Sequence, residues 1–186
     1  MEFPEFRLGS VLATSFTATL TERCGEPVER IPTPGRLADW LAVSGLTVDS
    51  CSQAQLDLAK DLREAIHAAA TAAALGQPLP ERAVRTVNER SARGHAAAVL
   101  TPEGARRWQL GSAAVEDALS VIAADAIDIL SGERDGRLAL CASPTCRAAF
   151  FDTSQSRTRK WCEMNTCGNR QKKARYHARR LQGVGE

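Results

Sequence analysis

Residues 161–180 read WCEMNTCGNRQKKARYHARR, two cysteines separated by four residues and followed at once by a run of arginine and lysine. One cysteine pair cannot close a metal site, and basic tails are common, so the stretch takes its meaning from its surroundings. Upstream, CASPTC places Cys141 and Cys146 at the same spacing. Residues 147–161 separate the pairs, which gives Cys-x4-Cys-x15-Cys-x4-Cys. Two such knuckles supply four thiolates, the set a tetrahedral structural zinc takes, with no coordination position left for water. The alternatives are two disulfides or four idle thiols. The chain opens MEFPEFRLGSVLATSF, with no basic segment ahead of an apolar one, so a secretory leader is not expected. That predicts a cytoplasmic protein, where thiols stay reduced and spaced cysteines point to metal. One structural zinc on Cys141, Cys146, Cys162 and Cys167 is therefore expected, and a catalytic zinc is disfavoured.

The sequence between the pairs, RAAFFDTSQSRTRKW, predicts two short strands, 148–152 and 159–161, joined by a polar turn at 153–157. Phe150 or Phe151 and Trp161 would supply the apolar contacts. The second pair leads into a helix over 169–181 with Cys167 in its first turn, where helix amides favour a thiolate. Knuckle, hairpin and helix make a treble-clef-like arrangement. A segment this short buries too little surface to fold unaided. A structural zinc contributes about 10–16 kcal/mol apparent in finger peptides, comparable to the ~5–15 kcal/mol that stabilises a whole domain.

Charge separates the chain into unlike parts. The net charge is +2 overall, yet residues 131–186 hold 12 Lys+Arg against 5 Asp+Glu. The terminal helix carries Arg170, Lys172, Lys173, Arg175, Arg179 and Arg180 and no acidic residue, and Arg157, Arg159 and Lys160 lie on the predicted hairpin. A zinc tetrathiolate bears a formal charge of −2, so part of this excess neutralises the site. The rest is what a surface for a phosphate backbone carries. A protein-binding basic face is the alternative.

Residues 1–130 read as helices. Residues 9–27, GSVLATSFTATLTERCGEP, form a first element, helix rather than strand, ended by Gly25 and Pro27. Thr33 as N-cap and Pro34 at the first helical position open a second helix with Leu37, Trp40 and Leu41 on one face. A Ser52-x-x-Gln55 capping box opens a long third, with Leu58, Leu62, Ile66, Ala69 and Ala73 at helical spacing. A shorter helix follows Pro80, and a β-hairpin is expected within 95–110 around Pro102 and Gly104. A last helix buries Val115, Leu119, Ile122, Ala126 and Ile129. Composition changes at SGERDGR, which puts a boundary near Gly136. No apolar run is long enough to span a membrane.

These stripes are core positions. His67 and His95 lack partners at ligand or catalytic spacing, and Cys24 and Cys51 read as ordinary core thiols. With no nucleophile–base pair, phosphate loop or open metal site, an enzyme is not expected.

The segment Cys162…Cys167-Gly168-Asn169-Arg170, preceded by Trp161, FFDTSQSRTRKWC and an upstream cysteine pair, resembles the CGNR zinc finger over residues 137–181. In that family the finger follows a mostly helical N-terminal domain, the ABATE domain, which residues 1–130 suit in size and order. The family's Asn-Thr pair in the first element stands here as Ala18-Thr19. The resemblance implies a bacterial, stress-related transcription regulator whose finger binds double-stranded DNA.

The expected fold is mainly α with a small β-hairpin. Residues 1–135 would form a helical sensor or dimerisation domain. Residues 136–186 would form a treble-clef-like zinc module with a basic C-terminal helix. RNA would be served by the same charges as DNA, a homodimer would enlarge the footprint of one finger, and the helical domain would take an unidentified small-molecule effector. The competing reading is a zinc-stabilised protein-interaction or RNA-binding module with a ligand-binding helical domain.

Overall fold

A computed structural model describes residues 3–182; the side chains of Arg175, Ala178, Arg179, Leu181 and Gln182 lie outside the described part. The order of elements is α1 (Leu12–Thr17), β1 (Leu20–Thr21), β2 (Val28–Glu29), α2 (Pro34–Val43), α3 (Gln53–Ala74), α4 (Glu81–Ser91), β3 (Ala97–Leu100), β4 (Arg106–Gln109), α5 (Ala114–Leu130), β5 (Arg137–Leu140), β6 (Ala149–Asp152), one π-turn (Met164–Gly168) and α6 (Asn169–Gln182). The fold is mainly α with small antiparallel strand pairs, β1–β2, β3–β4 and β5–β6.

Local chemistry sets the helix starts. Thr33 Oγ1 accepts from Arg36 N at 3.3 Å, with Pro34 at the first helical position. At α3, Ser52 Oγ accepts from Gln55 N at 3.2 Å while Gln55 Oε1 accepts from Ser52 N at 2.9 Å, a complete capping box. α3 is the central helix and packs on α1, α2, α4 and α5. Trp40, Leu41, Leu56, Leu62, Ile66, Leu119 and Ile122 are buried where these helices meet, and Phe16 lies 5.0 Å from Trp40 between ring centroids.

The first element is shorter than 9–27 predicts. The helix ends at Thr17, and the chain turns into the β1–β2 ribbon. Threonine hydroxyls explain the early stop: Thr17 Oγ1 donates to Thr14 O and Thr19 Oγ1 to Phe16 O, competing with the backbone ladder. Arg63 of α3 holds the ribbon, reaching Glu29 at 2.8 Å and Thr19 Oγ1 at 3.2 Å.

The β3–β4 hairpin stands exposed, and buried Asp117 of α5 ties down its two ends by accepting from His95 N and Gly111 N. His67 is half-buried beside Thr71, its imidazole pulled down to about 4 chiefly by burial and then by the Arg23 charge. Cys24 is not a core thiol as expected but exposed, and Cys51 is half-buried.

The β5–β6 pair lies against the helices, with α3 touching both strands and α1 touching β6. Phe151 of β6 is buried in the same hydrophobic core as Phe16, Trp40 and Ile66, and Leu138 of β5 packs onto that core.

Candidate metal centre

The hairpin of the four-cysteine module differs from the expected one. β6 pairs not with 159–161 but with β5, in the register Leu138↔Phe151 and Leu140↔Ala149. The pairing therefore spans the first knuckle, and 159–161 is not a strand. Asp152 gives the reason. Its carboxylate is buried, one oxygen accepting from Ser154 N at 3.0 Å and the other from Arg159 N at 2.9 Å. The chain after β6 folds around that carboxylate instead of running back along the strand. Burial acts to raise the Asp152 carboxyl, and the hydrogen bonds from Ser154 and Arg159 together with the Arg159 charge outweigh it and hold it lowered. One backbone bond, Ala142 N to Lys160 O at 2.8 Å, holds Lys160 beside the knuckle.

This arrangement delivers the four cysteines to one point. Cys141 directly follows β5, Cys146 closes the first knuckle, Cys162 follows the Asp152 loop, and Cys167 lies in the π-turn that leads into α6. Their sulfurs all lie within 4.8 Å of one another. Cys146 Sγ and Cys162 Sγ are 3.7 Å apart, as are Cys162 Sγ and Cys167 Sγ. A tetrahedron with zinc–sulfur bonds of about 2.3 Å has edges of about 3.8 Å, so the spacing fits a tetrathiolate zinc. Cys141, Cys146 and Cys167 are buried, and Cys162 is half-exposed.

The electrostatics ask for a cation. Hydrogen bonds from Cys146 and Cys162 pull the Cys141 thiol down to about 3, whereas Cys162 is pushed up, first through its bonds to Cys141 and Cys146. Charge on one sulfur is stabilised only while its neighbours keep their protons, and a divalent metal removes that restriction. Trp161 and Ala148 pack against the sulfurs. At Gly168 a Cβ would come 2.4 Å from Met164 Sδ and 3.3 Å from Trp161, so the turn carrying Cys167 closes tightly on Trp161 and Met164.

The basic residues fall into distinct settings. Lys172, Lys173 and Arg180 are exposed on α6, while the side chains of Arg175 and Arg179 lie outside the described part. Arg170 grips Glu22 of the helical part, Nη1 to Oε2 at 2.6 Å and Nη2 to Oε1 at 2.9 Å. Thr145 of the first knuckle donates to the same carboxylate at 2.7 Å. Arg157 pairs with Asp135, Arg159 lies over the Phe150 ring and donates to Cys162 O at 2.9 Å, and Lys160 is exposed. Asn169 donates back to Asn165 O at 3.3 Å, a local contact at the start of α6. Glu22 had no signal in the sequence: it belongs to no motif and meets Arg170 only through the fold.

A CGNR zinc finger model matches residues 137–180. No curated protein matches the chain. No helix among the described residues is long and apolar enough to cross a membrane. A second family model, ABATE, described as "Putative stress-induced transcription regulator", matches residues 10–133. That match spans more than half of the 186 residues, so the chain belongs to the ABATE family and ends in a CGNR zinc finger whose four cysteines suit one structural zinc.

Proposed function

We propose that this protein is a cytoplasmic DNA-binding regulator in which zinc fixes the root of α6 and α6 lies along the phosphate backbone. The observation that carries the reading is α6 itself: NRQKKARYHARRLQ contains no acidic residue, and Lys172, Lys173 and Arg180 are exposed along it. Cations in that density on one helix match a polyanion better than they match a tetrathiolate alone. Lys172, Lys173, Arg175, Arg179 and Arg180 contact phosphates, with Lys160, Arg157 and Arg159 at the flank. Arg170, held by Glu22, sets the helix against the body and reaches phosphate only at its edge.

Residues 1–135 act as the sensing and dimerising unit and residues 136–186 as the finger. One finger covers few base pairs, so specificity comes from two copies on paired half-sites. The test is fluorescence anisotropy of a labelled random DNA duplex at several salt concentrations, with zinc present, extracted and restored. Contact with five phosphates gives a slope of log affinity on log salt of about −4 to −5. A flat slope, or binding indifferent to zinc, would move α6 to the protein-interaction reading. Tighter binding to an RNA duplex of the same sequence would replace DNA by RNA.

A further inference from the structure

A cleft of about 120 Å³ opens where the N-terminal segment, α1 and the finger meet. Arg7, Ser10 and Thr14 line it from the body, and Phe150, Arg159 and Glu163 from the finger. Its charges are unbalanced. Arg7 Nε is 3.7 Å from Glu163, the loose end of an ion pair, and Arg7 Nη1 is buried with no hydrogen-bond partner among the described residues. Glu163 is partly committed elsewhere, since Thr166 donates to the same oxygen at 2.8 Å.

Nearby Arg30 is buried, yet among the described residues its guanidinium donates to neutral oxygens alone: Glu5 O and Thr21 Oγ1 at 2.7 Å and Val28 O at 3.2 Å. Thr21 also lines the cleft. Burial and then the Arg7 charge lower Arg30, against the opposing pull of Glu163, Glu22 and Glu29. Guanidinium donors left unmatched away from water are costly, and an oxyanion satisfies them in pairs.

We propose that this cleft binds a small oxyanion, the carboxylate or phosphate group of a metabolite-sized ligand, between Arg7 and Arg159 with the hydroxyls of Ser10 and Thr14 alongside. The volume suits an occupant of that class, because an apolar cavity of about 150 Å³ takes one benzene. Phe150, beneath the Arg159 guanidinium, offers an apolar wall for the rest of the molecule. The occupant displaces Glu163 from Arg7. Glu163 directly follows Cys162 and immediately precedes the π-turn that carries Cys167 into α6, so the exchange shifts the root of the basic helix. That last consequence rests on the DNA-binding reading, whereas the binding itself does not.

The experiment is an NMR amide titration of the zinc-loaded full chain with sodium phosphate and, separately, sodium succinate, at ionic strength held constant with sodium chloride. Saturable shifts at Gly9, Ser10 and Glu163 are expected with at least one of the two, and the stronger binder identifies the headgroup. R7Q should weaken that binding at least tenfold, A18L, at an alanine that also lines the cleft, should weaken it by filling the space with the charges intact, and E163Q should tighten it severalfold by removing the competing carboxylate. Absence of saturation with both anions would overturn the proposal. So would one dissociation constant shared by the wild type, E163Q and A18L, which is the signature of diffuse charge attraction. No nucleic acid enters the titration, so a failure of DNA binding would be seen separately.

Discussion

Glu22 and Arg170 stand 148 residues apart in sequence and meet in a two-pronged ion pair, with Thr145 closing the third side. Glu22 reaches it from a left-handed backbone at φ 55°, a conformation that costs a residue with a side chain about 1–2 kcal/mol. The Arg170 bonds, opposed by burial and supported by Thr145, hold the carboxyl below its usual range. The body thus grips the finger at the first residue of α6 to carry a charge.

Double-mutant analysis with Glu22→Gln and Arg170→Gln should give a coupling of about 1–2 kcal/mol in zinc-loaded protein, the value for a pair with one largely buried partner and one solvated one. Chemical denaturation at neutral pH measures it. Equal stability of all four proteins would show that the pair contributes nothing.

The finger's folding is joined to the body's through Phe151. Phe151→Ala should cost about 3–5 kcal/mol, and Trp40 fluorescence and zinc release should move together along the denaturation curve. Gly136 gives a second handle on the same contact. Its φ is +153°, and an added Cβ would sit 2.3 Å from the Phe151 ring. Gly136→Ala should therefore destabilise the body by about 1–3 kcal/mol. Two separate transitions would argue against a shared core.

Zinc extraction should free the cysteine turns and the root of α6 while the β5–β6 pair, docked through Phe151, and the helices of the body stay in place. Any one of Cys141, Cys146, Cys162 or Cys167 changed to Ser should lower zinc affinity by orders of magnitude, read by competition with a chromogenic chelator. Far-ultraviolet circular dichroism should change only modestly, because α2 to α5 belong to the body's own core.

Salt dependence separates the roles along α6. Lys172→Gln and Lys173→Gln should each reduce the slope of log affinity on log salt by about one. Arg170→Gln should change it less and should weaken binding by loosening the helix. Identical slopes for all three variants would remove the distinction between contacting and positioning residues.

His67 predicts a pH effect with a definite sign. Burial lowers its folded value to about 4 from an ordinary 6.5. The neutral form is the folded one, so its contribution is complete above pH 6.5 and is lost progressively as pH falls towards 4. Between pH 7 and 5 the loss should reach about 2 kcal/mol, bounded by about 1.4 kcal/mol per pH unit. His67→Gln should flatten that part of the stability curve, and the His67 imidazole resonances should show no titration down to pH 5.

The metal set and the long helices could be read from the chain because their signals are local. Ser52 and Gln55, Thr33 and Pro34, and two cysteine pairs carry their meaning within a few residues. The other features depend on contacts distant in sequence. Composition predicts a strand at 159–161, yet buried Asp152 turns that segment into a loop. The end of α1 at Thr17 follows from the hydroxyls of Thr17 and Thr19 bonding back to the chain. Neither Glu22 nor Arg7 belongs to a pattern, and both acquire their setting only when the finger meets the body.

The burial of Phe151 among the helices bears on how such proteins diversify. A finger detached from its body would leave that ring and Leu138 facing water, and a body without its finger would carry a hole where the ring belongs. Recombination that exchanged one half alone would yield offspring that aggregate or collapse. Inheritance should therefore transmit the two halves as one unit, with changes at Phe151 answered by changes on α1 and α3.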